Sequence, residues 1–414
     1  MRTSSPVSAE LPHLSADVLI VGAGPAGAAT AAFLARQGFD VVAIDRASFP
    51  RDKPCAEYLS PETVRLLDCL GVVEQLELGG ARALAGTVVR GPHGARLHGL
   101  FARARPAPSR PTGLSVTRWV LDQHLVQRAR TEGASLLEQT TLDTPLIENG
   151  AVTGALVRGP EGRRVIRARL TVGADGLRST VARRLGLRSH GRLRRVALVA
   201  HLSDVADLGE SAEMHVSTEG YVGLNRVDAN LANVALVVPA GAARGAGGRL
   251  ADFFFSQLER FPGVRGRVQR CGLVGQVLAT GPFAARSRRV VVDGAALVGD
   301  AAEFFDPFTG EGICSALRGA ELLAEHAAHG LSVPGIVSGA RLRGYTRARW
   351  RAFAGKWAVE RLIGYAMIWP ALFDRAVGRL GRRGGMADTL IGVTGNFVPS
   401  RRVLNPWFLA RMVL

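Results

Sequence analysis

The sequence predicts an α/β protein in which a parallel sheet is interrupted by a mainly antiparallel sheet and followed by helices. Two observations carry this prediction. The β-branched runs DVLIVG (17–22) and FDVVAID (39–45) flank an Ala-rich stretch of helical spacing, 25–38, and such strands belong in a parallel sheet covered by helices. Residues 196–238 instead alternate between apolar and polar side chains, as in antiparallel strands with one solvent-exposed face. A buried strand and a helix return after them, so the first domain should be discontinuous.

The composition indicates a globular chain of two or three domains. It has 414 residues, 47% of them hydrophobic and 21% charged, which excludes a disordered or fibrous protein. The net charge of +17 comes almost entirely from arginine, because Lys53 and Lys356 are the only lysines. The arginines are scattered over every segment rather than gathered on one element with stacking aromatics. We therefore expect no nucleic-acid partner.

Cysteines and apolar stretches constrain the compartment. The four cysteines, at 55, 69, 271 and 314, lack the spacing of a zinc site, so no metal is expected, and they fit a reducing compartment. The apolar stretch 363–373 is far shorter than the roughly 20 residues that span a bilayer, and it contains Pro370. We expect a cytoplasmic protein that is at most peripheral to the inner face of the membrane.

The other elements follow from cap, turn and period signals. A short polar leader precedes the β-α-β unit. A helix opened by Ser60 and Pro61 and ending at Gly71 follows it, then exposed strands in 84–100, a loop at 103–111 and a helix at 116–130. The later elements are a hairpin around GPEG in 150–175, helices at 179–187 and 250–261, a buried strand at 290–299, and helices beyond Gly312. We expect one discontinuous domain at 14–82, 112–187 and 285–330, an inserted substrate domain at 83–111 and 188–284, and a helical region at 331–414.

A glycine motif lies directly between the first strand and its helix. Gly22, Gly24 and Gly27 form G-x-G-x-x-G, and Asp45 ends the second strand. In this arrangement the glycines allow a tight turn, a close approach to a pyrophosphate and close helix packing, and the terminal acid accepts from a ribose hydroxyl. The alternative is a tight β-α turn without a ligand. The complete strand–helix–strand context favours a Rossmann-like dinucleotide site.

Two later segments narrow the dinucleotide. Each of the segments VGADGLRS (172–179) and LVGDAAEFFDPFTGEGI (297–313) begins with a predicted buried strand and continues into residues rich in Gly and Asp. With the first motif, they resemble the three FAD segments shared by flavoprotein monooxygenases of the aromatic-hydroxylase type and by the geranylgeranyl reductase family. The resemblance covers most of residues 15–330. It implies a discontinuous FAD-binding domain with an inserted substrate domain.

The resemblance also implies which residues hold FAD. They are Gly22, Gly24, Pro25, Ala26, Gly27, Asp45, Arg46, Arg118, Asp175, Gly176, Gly299, Asp300, Pro307, Gly310, Gly312 and Ile313. For Arg118 the alternative is a solvated helix charge. No second glycine fingerprint follows a strand, so NAD(P)H is expected to visit as a transient reductant, although a different electron donor also fits.

The branch of the family is open. DPFTGEGI and Lys53-Pro54-Cys55 look like the reductase branch, whose Y-x-W-x-F-P motif is here reduced to Tyr221 within YVGLNR (221–226). We therefore expect a monooxygenase that hydroxylates a hydrophobic small molecule of phenolic or polyketide type, using NAD(P)H and O2 through a flavin C4a-hydroperoxide. The alternative is a geranylgeranyl-reductase-like enzyme acting on isoprenoid C=C bonds. A third class is a flavin-holding or membrane-docked interaction protein without turnover.

The candidate catalytic residues are polar positions in otherwise apolar surroundings. Tyr221, His215 and Arg226 lie on the inserted sheet, where a tyrosine or histidine could orient or deprotonate a phenol. Cys55 matches the cysteine that faces the flavin in the reductase branch. For each, the alternative is an ordinary structural residue. The tail from 341 to 357 mixes arginines with tryptophans, which suits either docking on an anionic membrane or a helix that covers the cofactor domain. No obligate protein partner is evident.

Overall fold

The computed structural model describes residues 12–244 and 247–413, and most of the predicted polar leader lies outside these residues. The strands, numbered in chain order, are β1 (His13–Val21), β2 (Val41–Ile44), β3 (Tyr58–Leu59), β4 (Arg82–Leu84), β5 (Gly86–Arg90), β6 (Arg96–Leu100), β7 (Gly113–Ser115), β8 (Ser135–Leu137), β9 (Thr141–Glu148), β10 (Ala151–Gly159), β11 (Gly162–Gly173), β12 (Arg188–His190), β13 (Arg195–Ser203), β14 (Ser211–Ser217), β15 (Gly220–Arg226), β16 (Leu231–Pro239), β17 (Leu273–Thr280), β18 (Ala285–Ser287), β19 (Val291–Val292), β20 (Ala295–Leu297) and β21 (Glu303–Phe304). The helices are α1 (Pro25–Ala35), α2 (Pro61–Cys69), α3 (Val73–Leu78), α4 (Arg118–Thr131), α5 (Thr180–Arg184), α6 (Ala240–Ala243), α7 (Leu250–Leu258), α8 (Gly312–Leu331), α9 (Arg343–Ala366), α10 (Pro370–Gly381), α11 (Gly384–Thr394) and α12 (Pro406–Val413).

The first β-α-β unit lies at the centre of a mixed sheet of eight strands. Its main path runs β19-β20-β11-β1-β2-β8, and β10 and β9 extend it as a hairpin from β11. β1 pairs in parallel with both β2 and β11. Val18, Leu19 and Ile20 have no exposed surface, so both faces of β1 are covered. The predicted α/β class is confirmed.

One predicted strand is divided in two. Residues 290–299 form the short antiparallel strands β19 and β20, which are joined by a turn at Asp293 and Gly294. Gly294 has φ +73°, and a Cβ there would lie 1.8 Å from the carbonyl oxygen of Val152. The glycine therefore permits a reversal of the chain direction that the continuous apolar run in the sequence does not predict.

The inserted sheet has seven strands in the order β17-β13-β16-β15-β14-β5-β6. β5 and β6 come from residues 86–100 and join strands that follow more than 90 positions later; the β5–β14 pair is parallel and the others are antiparallel. One face packs with Phe254 and Leu258 of α7. The other face, with Ala212, Val216 and Tyr221, packs towards the C-terminal helices.

Helices close the remaining surfaces, as predicted beyond Gly312. α8 is buried in the core of the first sheet, and α9 lies along α8. The outer edge of the second sheet is covered, because Asp374 of α10 accepts from the amide of His93 (2.9 Å) and Asp388 of α11 accepts from the amide of Leu100 (2.8 Å). In the described ranges, no helix is long and apolar enough to cross a membrane.

Candidate active site

The glycine turn brings backbone into contact with backbone. Gly22 has φ +99°, and a Cβ there would lie 2.6 Å from the carbonyl oxygen of Ala174. A Cβ on Gly27 would lie 1.8 Å from the carbonyl oxygen of Gly22. Only glycine fits at these positions, so α1 begins directly over the end of β1 with its first amides free of a side-chain cap.

Two guanidinium groups face this turn. A Cβ on Gly24 would lie 3.5 Å from an Nη atom of Arg51 and 3.7 Å from one of Arg118. The fully buried Asp122 accepts from Nε and Nη2 of Arg118 at 2.8 and 2.7 Å and pairs with Arg51 at 3.1 Å. Two positive charges against one carboxylate leave a net positive charge beside the amides of the helix N-terminus. This cradle, open on the glycine side, fits the pyrophosphate of a dinucleotide.

The acid at the end of β2 supports the same turn. Asp45 accepts from the amides of Ala23 (2.8 Å) and Ala47 (2.9 Å), and its neighbour Arg46 is exposed. Neither Asp45 nor Arg46 lines the main cavity. Each carboxylate oxygen of Asp45 retains a lone pair, so the ribose contact stays a prediction.

A large cavity runs from the glycine turn to the inserted sheet. Its empty volume is about 1410 Å³, including space open to solvent. The predicted site residues that line it are Gly24, Pro25, Ala26, Cys55, Arg118, Gly176, Tyr221, Asp300, Pro307, Gly310, Gly312 and Ile313. Residues from three separate sequence motifs therefore meet at one space.

The late Gly/Pro loop forms one wall. Residues 307–309 make a single 3-10 turn, Gly310 has φ +72°, and a Cβ there would lie 2.7 Å from the Tyr58 ring. Asp306 caps the turn by accepting from the amide of Phe308 at 3.1 Å, and α8 begins at Gly312. Gly310 therefore brings backbone close to Tyr58, and Pro307, Phe308 and Thr309 line the cavity beside it.

Tyr221 is tied to that loop. Its hydroxyl donates to Oδ1 of Asp306 at 2.6 Å, and Oδ2 of Asp306 pairs with Arg195 at 2.8 Å. Burial, together with the charge of Asp306, raises the pKa of Tyr221 well above its ordinary value. The phenol therefore stays protonated and holds the loop against the sheet. This corrects the prediction that it could deprotonate a substrate.

Two aspartates of the later motifs lie near the glycine turn. Burial raises the pKa of Asp300, although the positive charges of Lys53 and Arg118 oppose the rise. Asp175 accepts from the amides of Thr180 (2.6 Å) and Val181 (3.1 Å), so it caps α5 through one oxygen. The other oxygen is buried without a partner, and burial raises the pKa of this carboxyl as well.

Gly176 and Gly299 permit close packing in these motifs. A Cβ on Gly176 (φ +76°) would lie 3.4 Å from Nζ of Lys53, and one on Gly299 (φ +61°) would lie 2.8 Å from Cβ of Ala26. Gly299 itself does not line the main cavity. It brings Asp300 next to α1, so its expected part in cofactor binding is indirect.

The structure corrects two catalytic candidates. Ala212 and Met214 of β14 line the cavity, so the alternation of the strand turns His215 to the opposite face. There its Nε2 bonds Oε2 of Glu213 at 2.7 Å. Arg226 also lies outside the cavity, where its guanidinium donates to the carbonyl oxygens of Leu208 and Ala229 at 2.8 and 2.7 Å. Both residues stabilise the sheet rather than reach a ligand.

Cys55 lines the cavity beside a buried polar network that sequence reasoning missed. Burial raises the pKa of the Cys55 thiol, and its Sγ accepts from the amide of Glu57 at 3.4 Å. The Glu57 carboxylate accepts from the amide of Arg118 (2.8 Å) and from Asn233 (3.0 Å), and it bonds Nε2 of His201 (2.7 Å). A glutamate at φ +55° in a loop gives no local signal of this role.

A second missed residue lies inside the late loop. Glu311 is buried, and its Oε2 accepts from Ser60 (3.2 Å) and Asn396 (2.8 Å), whereas its Oε1 has no partner. Burial raises its pKa to about 7, against the opposing charge of Lys356. Within the described part of the chain, no three His, Cys, Asp or Glu side chains are placed as ligands of a metal ion.

Comparison with known proteins agrees with this geometry. Residues 15–356 match the family described as FAD binding domain. The chain is 31% identical over 357 residues to the digeranylgeranylglycerophospholipid reductase of Methanosphaerula palustris, covering 83% of this chain and 84% of the relative. It is 33% identical over 331 residues to the menaquinone reductase of Mycolicibacterium smegmatis, covering 75% and 76%.

A solved structure shows the same fold. The geranylgeranyl bacteriochlorophyll reductase-like protein Ta0516 of Thermoplasma acidophilum superposes with a TM-score of 0.76 at 22% identity, covering 93% of this chain and 95% of that one. The sequence match, the three converging motifs and the positively charged glycine turn agree on one cofactor. The chain therefore belongs to the FAD binding domain family and is an FAD-dependent oxidoreductase.

Proposed function

We propose that this chain reduces isoprenoid carbon–carbon double bonds of a lipophilic substrate. Two relatives that match most of the chain are named as reductases, of digeranylgeranylglycerophospholipid and of menaquinone. The sequence alone favoured hydroxylation and kept this activity as the alternative. The relatives support the alternative better, so the order of the two is reversed.

The observation that carries the proposal is the apolar half of the cavity. Its apolar lining comes from Ala197, Val199, Ala212, Met214, Ala235, Val237, Phe283, Phe304 and Phe308. The same cavity also reaches the glycine turn, where Gly24, Pro25 and Ala26 line it. It suits a flavin head together with a branched hydrocarbon chain.

The chain's own residues would position the reactants and supply a proton. Bound FAD, once reduced, supplies the two electrons that saturation of a double bond requires, and two protons must also be added. Cys55 lines the cavity, and burial raises the pKa of its thiol, so Sγ keeps its proton at neutral pH. We assign Cys55 as a proton donor. Tyr221 and Asp306 hold the late loop against the sheet, and the apolar lining excludes water.

The electron donor completes the proposal. We propose NAD(P)H as a transient reductant that binds briefly and leaves, since G-x-G-x-x-G occurs between strand and helix only at Gly22–Gly27. A different electron donor remains the alternative. A dithionite-reduced enzyme bypasses this question, so the substrate reaction can be tested separately from the donor.

A second candidate is hydroxylation of a hydrophobic small molecule with O2, and one observation favours it. In the reductase pattern Y-x-W-x-F-P, this chain has Gly223 in place of Trp and Asn225 in place of Phe. Both residues line the cavity, and Asn225 donates to Ser115 at 2.6 Å. The space next to Tyr221 is therefore wider and more polar than the reductase pattern predicts.

One experiment separates the two candidates. The dithionite-reduced holoenzyme is mixed anaerobically with menaquinone or a geranylgeranyl lipid, and the flavin spectrum and product mass are followed. A product that is still heavier by two hydrogens after any quinol has been reoxidised in air, with the added mass in the isoprenoid chain, supports the reductase. Cys55→Ser should slow its formation while Cys69→Ser, at an exposed thiol, should not. In a parallel reaction opened to air and supplied with NAD(P)H, substrate-stimulated oxygen uptake with a product heavier by one oxygen would overturn it in favour of hydroxylation. A flavin that no substrate of either class reoxidises would contradict both.

A further inference from the structure

An exposed apolar cluster surrounds the junction of α9 and α10. Leu362, Tyr365, Ile368, Trp369 and Leu372 fall within eleven consecutive positions, and each is 36–60% exposed. Most exposed apolar side chains of a folded protein are scattered singly, and a contiguous group marks an interaction site. The cluster includes a tryptophan and a tyrosine, the residues that membrane–water interfaces favour.

The exposed side of α9 continues this cluster with arginines. At about 100° per residue, Arg343, Arg347, Trp350 and Tyr365 fall within roughly 60° of one another around the helix axis. All four are exposed, as is Arg351 beside them. The one acid on α9, Glu360, is buried and paired with Lys356 at 2.6 Å. On the same side Arg361 pairs with Glu303 at 2.8 Å, whereas Arg343, Arg347 and Arg351 have no ion-pair partner among the described residues.

The inner side of the same junction contacts the cavity wall. Gly364 packs so closely on Phe305 that a Cβ would lie 2.8 Å from its ring, and the rings of Phe373 and Phe308 are 6.3 Å apart. Phe308 lines the cavity. The exposed cluster is thus separated from the apolar cavity by little more than one layer of side chains.

We propose that this surface docks on an anionic lipid bilayer. We name it the α9–α10 face, formed by Trp350, Leu362, Tyr365, Ile368, Trp369 and Leu372 with Arg343, Arg347 and Arg351. The apolar side chains enter the interfacial region and the arginines attract anionic headgroups, as in peripheral amphipathic helices. The occupant follows from charge complementarity between these arginines and anionic headgroups, and from the exposed tryptophans and tyrosine beside them. Docking itself does not depend on the proposed function. A role of this face in substrate entry does, because it rests on the lipophilic substrate proposed above.

The test uses the full-length holoenzyme and vesicles, without substrate. Co-sedimentation is measured with phosphatidylcholine vesicles and with vesicles that also contain phosphatidylglycerol. The protein should bind the anionic vesicles more tightly, and added salt should weaken that binding. The double variant Ile368→Ser/Trp369→Ser should bind at least about tenfold more weakly to anionic vesicles. Arg347→Gln/Arg351→Gln should lose roughly fivefold per arginine, and only on the anionic vesicles.

A matched control separates docking from general stickiness. Leu78 of α3 is 82% exposed, so Leu78→Ser removes a still more accessible apolar side chain from another surface and should leave binding unchanged. Thermal unfolding and flavin content show that each variant is folded. Failure of the wild type to bind anionic vesicles would overturn the proposal. So would a dimer, seen by light scattering, that Trp369→Ser dissociates, because the face would then be a contact between copies.

The outcome is independent of the proposed reaction. Reductase activity on a detergent-solubilised substrate does not require a bilayer. Vesicle binding without that activity would leave the docking surface in place and refute the proposed function. Activity in detergent without vesicle binding would refute the docking surface alone.

Discussion

Substitution of Arg51 by methionine tests the phosphate cradle most directly. Arg51 and Arg118 both face Gly24 and share the buried Asp122. In Arg51→Met, Arg118 still neutralises Asp122 through two hydrogen bonds, so the fold should survive. What is lost is the excess positive charge next to the first turn of α1. We therefore expect weaker FAD binding rather than unfolding.

The magnitude follows from the type of bond lost. A hydrogen bond to a charged group contributes about 1.5–3 kcal/mol, which corresponds to a rise in the FAD dissociation constant of roughly 10- to 150-fold. The Arg51 side chain is only 15% exposed, so solvent screens this interaction weakly. Riboflavin has no phosphate, and its weaker binding should not change. The loss should therefore be specific to ligands that carry the pyrophosphate.

The assay is titration of the apoprotein with FAD, ADP and riboflavin, followed by quenching of flavin or protein fluorescence. Arg65→Met is the matched control, because that arginine pairs with Glu62 on the surface of α2, away from Gly24. Affinity for FAD within about twofold of wild type, well under the smallest expected loss, would refute the cradle. An equal loss for riboflavin would do the same, since it would indicate general damage to the site.

Three further predictions concern the fold around the site. Asp306→Asn leaves the Arg195 guanidinium buried without a counter-charge and should lower the free energy of unfolding by about 3–5 kcal/mol. Tyr221→Phe removes one hydrogen bond to a charged group and should lower it by about 1.5–3 kcal/mol. Thermal unfolding in excess FAD measures both, and equal losses of stability would contradict the ion pair. For His201, burial lowers the pKa, but the hydrogen bond and charge of Glu57 outweigh burial and raise the pKa above 6.5. The stabilisation from this pair should therefore be complete below pH 6.5 and be lost as the pH rises through the pKa of the folded state. His201→Gln should reduce the change of the thermal midpoint between about pH 6 and pH 8. Gly27→Ala should abolish FAD retention, because its Cβ would lie 1.8 Å from the Gly22 carbonyl oxygen; an alanine variant that purifies with full flavin would show that α1 can move away from β1.

Local patterns in the sequence determined much of this protein. The order of strand, glycine turn and helix and the cap at Ser60 follow from side chains only a few positions apart, which is the range over which strand, cap and turn signals act. Ser60, for example, accepts from the amide of Thr63, three residues on, as the sequence predicts. The α/β class and the FAD family follow from these local signals.

The contacts that build the site were decided by the tertiary structure. Tyr221 and Asp306 are 85 positions apart, and nothing in either segment announces their hydrogen bond. The alternation of β14 puts His215 on the face opposite Ala212 and Met214, but only pairing with β5 and β15 decides which of these side chains meet the cavity. Arg51 comes to face Gly24 through a loop of irregular backbone, where sequence has no period to interpret. Periodicity reports which side chains share a face, whereas long-range packing alone decides what that face meets.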